Sequence, residues 1–184
     1  MVKRFFRIIC ILVVISGLLL IIKKPVLKEY RVIKNNLNID KFYNKVDNNM
    51  DKEEELYIGI LKIDKINLYQ GFYDKNSKYN DIELNIMINK ESDYPNVING
   101  NLILMAHSGD SDVSYFRYLD ILEVGDNATI YYKDDSYNYK LVKVYELIKN
   151  GKVFIDRDDT TTLTLITCSR EKEDMQKIYI FNLI

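Results

Sequence analysis

The chain opens with a long apolar stretch and then changes rhythm. Ile8 to Ile22 contains no charged residue. With Phe5 and Phe6 added, and Arg7 snorkelling outward, the stretch reaches the short end of a bilayer span, roughly 17–25 residues. It ends Ile21-Ile22-Lys23-Lys24-Pro25, without the small-residue triplet that a signal-peptide cleavage site needs. This predicts an uncleaved transmembrane signal anchor over residues 8–23, behind a basic tail of residues 1–7. Lys3, Arg4 and Arg7 flank one end, and Lys23, Lys24 and Lys28 the other, so the charge count alone does not orient the helix. A short free tail followed by a large folded domain favours a cytoplasmic tail and an extracellular domain. Residues 24–55 are polar and close on Asp51-Lys52-Glu53-Glu54-Glu55. They read as a solvated stalk. The spacing of Val32, Leu37, Ile39, Phe42 and Val46 is compatible with a short helix inside it.

From Leu56 onward short apolar runs alternate with polar turns, the rhythm of an all-β domain. Strands are predicted at Tyr57–Ile63, Leu68–Tyr73, Asn101–Ala106, Ala128–Tyr132, Tyr137–Leu147, Thr161–Thr167 and Lys177–Leu183. Ile82–Ile88 reads equally as a strand or a helical turn. Phe116, Leu119 and Leu122 stand at helical spacing, which predicts a short helix over Ser114–Leu122. Gly125-Asp126, Asp134-Asp135-Ser136 and Asn150-Gly151 are turn signals. About eight short strands and one or two short helices over residues 56–184 predict a mainly β fold. An eight-stranded β-barrel is the solution that leaves few exposed strand edges.

Composition narrows the function. Lys+Arg total 26 against 27 Asp+Glu, which argues against a nucleic-acid footprint. No glycine-rich phosphate-binding pattern is present. Tyr is abundant, at 15, and Trp absent, in keeping with strands.

Cysteine usage is the sharpest chemical signal. Cys10 lies inside the apolar anchor, so Cys168 stands alone in the outer domain. An exported domain ordinarily uses cysteine in pairs. A lone one is a buried passenger, an intermolecular link or a reactive thiol. Cys168 ends an apolar strand just as the sequence turns polar. His107, the only histidine, also ends an apolar strand, before Ser108-Gly109-Asp110. A cysteine nucleophile needs a proton-transfer partner titrating near neutrality, and imidazole is that partner. One Cys and one His fall short of a zinc ligand set, so no metal and no cofactor is expected. Asp110 and Asp112 read as solvated loop residues. A papain-like hydrolase is disfavoured, because its cysteine precedes its histidine and starts a helix.

Three stretches carry a family resemblance. Thr164-Leu165-Ile166-Thr167-Cys168 matches the TLxTC signature of sortases. Asn101–Leu119 resembles the sortase segment whose strand delivers a catalytic histidine. Glu55–Leu68 resembles the opening strand of the same domain. The similarity spans residues 56–184. It implies an eight-stranded barrel and a cysteine transpeptidase that cleaves an LPxTG-like sorting signal. The products would be surface proteins joined to an amine of a peptidoglycan precursor or a pilin. It implies Cys168 as nucleophile, His107 as general acid and base, and the segment 149–160 as a specificity element. Thr164 and Thr167 would serve the strand, and Thr167 would also contact substrate beside the thiol. The family places an arginine on the last strand where this chain has Gln176, which leaves Gln176 as a substrate-side hydrogen-bond donor. Arg170 is the nearest arginine to Cys168 and a candidate oxyanion donor, or else a solvated loop charge paired with Glu171 or Asp174. The missing arginine motivates a competing expectation, a membrane-tethered β-barrel binding module without turnover.

Overall fold

The computed structural model describes residues 2–44, 56–151, 153 and 155–184. One long helix, α1 (Val2–Asn44), precedes eight strands. They are β1 (Gly59–Ile63), β2 (Leu68–Phe72), β3 (Met87–Ile88), β4 (Asn101–Met105), β5 (Asn127–Tyr132), β6 (Asp135–Ile148), β7 (Thr162–Cys168) and β8 (Met175–Leu183). Single 3-10 turns follow β1 at Asp64–Ile66 and precede β5 at Leu119–Ile121. The expected helix over Ser114–Leu122 thus contracts to its last turn.

The chain divides into two compact units, residues 1–37 and 38–184. In the first, α1 is long and apolar enough to cross a membrane, and it continues through Pro25. Of the stretch expected to form a solvated stalk, residues 24–55, the part as far as Asn44 is helical. Residues 45–55 of that stretch lie outside the described residues. The end of α1 belongs to the second unit. Ile39 and Phe42 pack with Tyr57, Ile60 and Tyr73, and the Asn38 side-chain amide donates to the Tyr73 hydroxyl at 3.0 Å. Of the residues whose spacing hinted at a helix, Ile39 and Phe42 lie on this packed face, Val32 and Leu37 are exposed, and Val46 lies outside the described residues.

The strands form one sheet in the order β2-β1-β5-β6-β8-β7-β4-β3. A bridge between Phe72 and Ile86 brings its two edges together and nearly closes a barrel. Neighbours pair antiparallel except β4 and β7, which run parallel. Side chains alternate across the wall. Leu102, Leu104, Leu163, Leu165, Tyr179 and Phe181 fill the barrel with Leu61, Ile63, Ile130 and Phe116. The intervening residues of β4, β7 and β8 face outward, where Ile103, Ile166, Ile178 and Ile180 form a second buried cluster.

A bulge decides what covers that outer cluster. Leu141 pairs with Phe181, but Lys143 pairs with Ile180, so Val142 is an extra residue in β6. A one-residue shift flips every later side chain to the other face. Tyr139 and Leu141 therefore point into the barrel, whereas Tyr145 and Leu147 join Ile178 outside, with Ile155 of the β6–β7 connection.

Candidate active site

The parallel pairing of β4 and β7 builds the site. Met105 stands opposite Ile166, and two further residues along this register set His107 beside Cys168. Both fall on the outer face, in step with Met105 and Ile166. Two hydroxyls fix the splayed strand ends. Thr167 Oγ1 donates to the Ala106 carbonyl at 2.7 Å, and Ser108 Oγ donates to the Cys168 carbonyl at 2.7 Å. Upstream, the Asn101 Oδ1 accepts from Thr162 Oγ1 at 3.0 Å and Thr164 Oγ1 at 2.8 Å. All three residues are buried, so these bonds lock the register that brings histidine to cysteine.

Cys168 is exposed and unpaired. It opens into a cleft of about 670 Å³ lined by Glu83, His107–Ser111, Val113, Ser114 and Cys168–Arg170. The His107 ring is one-third exposed. Its Nε2 lies 3.0 Å from Glu83 Oε1. This carboxylate escaped the sequence reading. It sits 24 residues before the histidine, in the stretch whose periodicity decides nothing.

The remaining candidates separate. Arg170 lines the cleft, but its guanidinium is held 3.4 Å from Asp110 Oδ1 and donates to the Arg117 carbonyl at 3.3 Å. Asp110, expected to be a solvated loop residue, is thus its ion-pair partner, in place of Glu171 or Asp174. Arg117 staples the same loop, donating to the Gly109 carbonyl at 3.0 Å and the Ser111 carbonyl at 2.9 Å. Gln176 stands directly across from Cys168 in the β7–β8 pair, half-buried and outside the cleft lining. Thr167 points inward, is 5% exposed, and has its hydroxyl committed to β4. That placement ties the Thr167 hydroxyl to the pairing of β7 with β4.

The loop after Cys168 is tied to β6. Glu146 accepts from Ser169 Oγ at 2.9 Å and Lys172 Nζ at 2.6 Å. The Lys172 and Ser169 bonds hold the Glu146 carboxyl below its ordinary range. Inside the barrel mouth, Asp120 accepts from Lys177 Nζ at 2.7 Å and the Tyr179 hydroxyl at 2.9 Å. Burial works against its ionisation, but the Lys177 and Tyr179 bonds, with the charges of Lys177 and Arg170, outweigh it and keep the carboxyl low. Burial, and then the bond to Asp120, push the Tyr179 phenol up, so it remains a donor.

The structure thus brings an exposed thiol and an imidazole to adjacent strand ends of a nearly closed barrel, in one cleft. Residues 61–182 match the family model described as Sortase domain, and the chain belongs to the sortase family of cysteine transpeptidases. Its fold is shared by a sortase D5 transpeptidase of Clostridium perfringens, at 22% identity, a TM-score of 0.62, and coverage of 82% of this chain and 95% of that one. A lid mutant of sortase A from Corynebacterium diphtheriae superposes with a TM-score of 0.63 at 14% identity, covering 87% and 95%. Sortase E1 of Streptomyces coelicolor, solved with a tripeptide in its active site, gives 0.59 at 20% identity, covering 70% and 88%. No curated protein sequence matches the chain.

Proposed function

We propose that this chain is a membrane-anchored sortase that cuts an LPxTG-like sorting signal and transfers the acyl fragment to an amine. The observation that carries this reading is the exposed Cys168 thiol beside His107 in one cleft. The Cys168 thiolate attacks the scissile carbonyl, and His107 in its imidazolium form protonates the departing amine. A thioester remains on Cys168. An acceptor amine from a peptidoglycan precursor or a pilin then attacks it, and His107 takes up a proton as the new amide forms. Arg170, in the cleft lining, supplies the guanidinium that faces the tetrahedral oxyanion, and Gln176 contributes a neutral donor beside the thiol.

Substrate would enter the cleft that holds Cys168. Ile103, Ile166 and Ile178 form the buried support beside it, with Met105 and Ile155 of the 149–160 segment packed against them. Lys152 and Phe154 of that segment lie outside the described residues. Through α1 the domain would be held at the outer surface of the cell membrane as a single-pass protein with residues 1–7 inside.

The test is intact-mass spectrometry of the full-length chain in detergent after incubation with a panel of LPxTG-like peptides. An acyl adduct is expected that is absent in Cys168→Ala and clears on adding an amine. No adduct across the panel, with Cys168 also inert to an alkylating agent, would favour the non-catalytic binding module.

A further inference from the structure

The cleft is electrically lopsided. On one side Asp110 is matched by Arg170 at 3.4 Å, with Arg117 at 3.8 Å. On the other side Glu83 is 71% exposed, and its partner among the described residues is His107, with no lysine or arginine beside it. While His107 is neutral, Glu83 is therefore an uncompensated negative charge on the cleft wall, 3.0 Å from the ring nitrogen.

Glu83 is also held in place. The Asp81 side chain accepts from the Glu83 N–H at 2.9 Å, and the Asp81 carbonyl accepts from the Leu84 and Asn85 N–H groups. Asn85, at the end of this turn, is 3% exposed. Its Nδ2 donates to the Gly71 carbonyl at 2.9 Å, and its Oδ1 accepts from Gln70 Nε2 at 2.7 Å. A buried, satisfied polar pin of this kind fixes backbone position more than it adds stability. The turn Asp81–Asn85 is thereby fastened to β2, with Glu83 facing His107.

An acceptor amine reaches the thioester as an ammonium ion. We propose that Glu83 is the specificity residue that binds this cationic acceptor and delivers it next to His107. The proposal rests on the transpeptidase reading above. The bound ammonium loses one proton to water. The free amine attacks the thioester carbonyl, its second proton passes to His107 as the C–N bond forms, the C–S bond breaks, and Cys168 leaves as the thiolate. A carboxylate at the entry side raises the local concentration of a cation and leaves a neutral nucleophile indifferent.

The test compares two nucleophiles on the full-length chain in detergent, using a donor peptide that acylates Cys168. One is a glycine or lysine amide, cationic near neutral pH. The other is hydroxylamine, largely neutral there. In Glu83→Gln the specificity for the cationic amine relative to hydroxylamine should fall roughly fivefold, mostly through KM. Glu83→Asp should recover part of it, and added salt should shrink the wild-type preference. Equal losses for both nucleophiles would overturn the proposal and leave Glu83 only a positioning residue for His107. An unchanged ratio would overturn it too. Absence of any Cys168 adduct in the wild-type chain would instead remove the transpeptidase reading, and this inference with it.

Discussion

Cys168 and Gln176 face each other across β7 and β8, so the position where the family carries a strand arginine is, in space, next to the thiol. Arg170, proposed above in its place, lies on the loop after β7 and is steadied by Asp110 and the Arg117 carbonyl. A guanidinium already oriented by a carboxylate loses less side-chain entropy on meeting an oxyanion than a free one. Arg170→Ala should lower the rate of acyl-enzyme formation on the order of 10²-fold, the usual loss for one oxyanion donor, while Gln176→Ala costs a fewfold at most. Single-turnover acylation followed by mass spectrometry reads both. The reverse ranking would move the donor to Gln176, and no effect from either would leave the oxyanion to backbone N–H groups near Cys168. At this scale the sequence singles out His107 and Cys168 because each ends an apolar run at a polar loop, and the two line one cleft. It concealed Glu83, since a carboxylate on an exposed turn has no local signature, and only the Asn85 pin shows why the turn is fixed.

Most strands are visible in the sequence as apolar runs between turn signals, and β1, β2, β4, β5, β7 and β8 fall within a residue or two of where those runs predict them. Ile82–Ile88 was ambiguous for a physical reason: its first half is a hydrogen-bonded turn and only Met87–Ile88 is strand. The bulge at Val142 is not legible in the sequence either, because apolar residues after Leu141 fall on both phases of the strand, Val142 and Val144 on one, Tyr145 and Leu147 on the other, yet it decides that Tyr145 and Leu147 cover the outer face. The register of β4 on β7 is also hidden, although the residues that set it, Asn101, Thr162 and Thr164, are polar among apolar neighbours. Asn101→Ala would leave the buried Thr164 hydroxyl without its acceptor and Thr162 with only the longer contact to the Gly100 carbonyl at 3.4 Å, at a cost of about 1–3 kcal/mol for a group left unsatisfied. We expect a drop in the urea midpoint with unchanged slope, accompanied by slower acylation, because the same bonds hold His107 level with Cys168. Full activity and unchanged stability in Asn101→Ala would show that the apolar contacts of the outer cluster set the register alone.

For the whole chain, the long apolar helix and the barrel make different demands on their surroundings. The side chains described from Phe6 to Ile22 are exposed, and a run of that length and hydropathy is consistent with anchoring in a bilayer. The barrel presents a charged surface and one open thiol, which suits water. Acyl transfer to a cell-wall amine further requires the cleft to lie where those amines are. The two cysteines report on this arrangement directly, since Cys10 falls within the apolar run and Cys168 opens into the cleft. A membrane-impermeant maleimide applied to intact cells should therefore add one label to the chain. Cys168→Ala should abolish that label, and Cys10→Ala should leave it. Labelling of Cys168 only after the cells are lysed would put the barrel on the cytoplasmic side, where no sorting substrate emerges, and would overturn the orientation proposed for α1 together with the cell-wall role that depends on it.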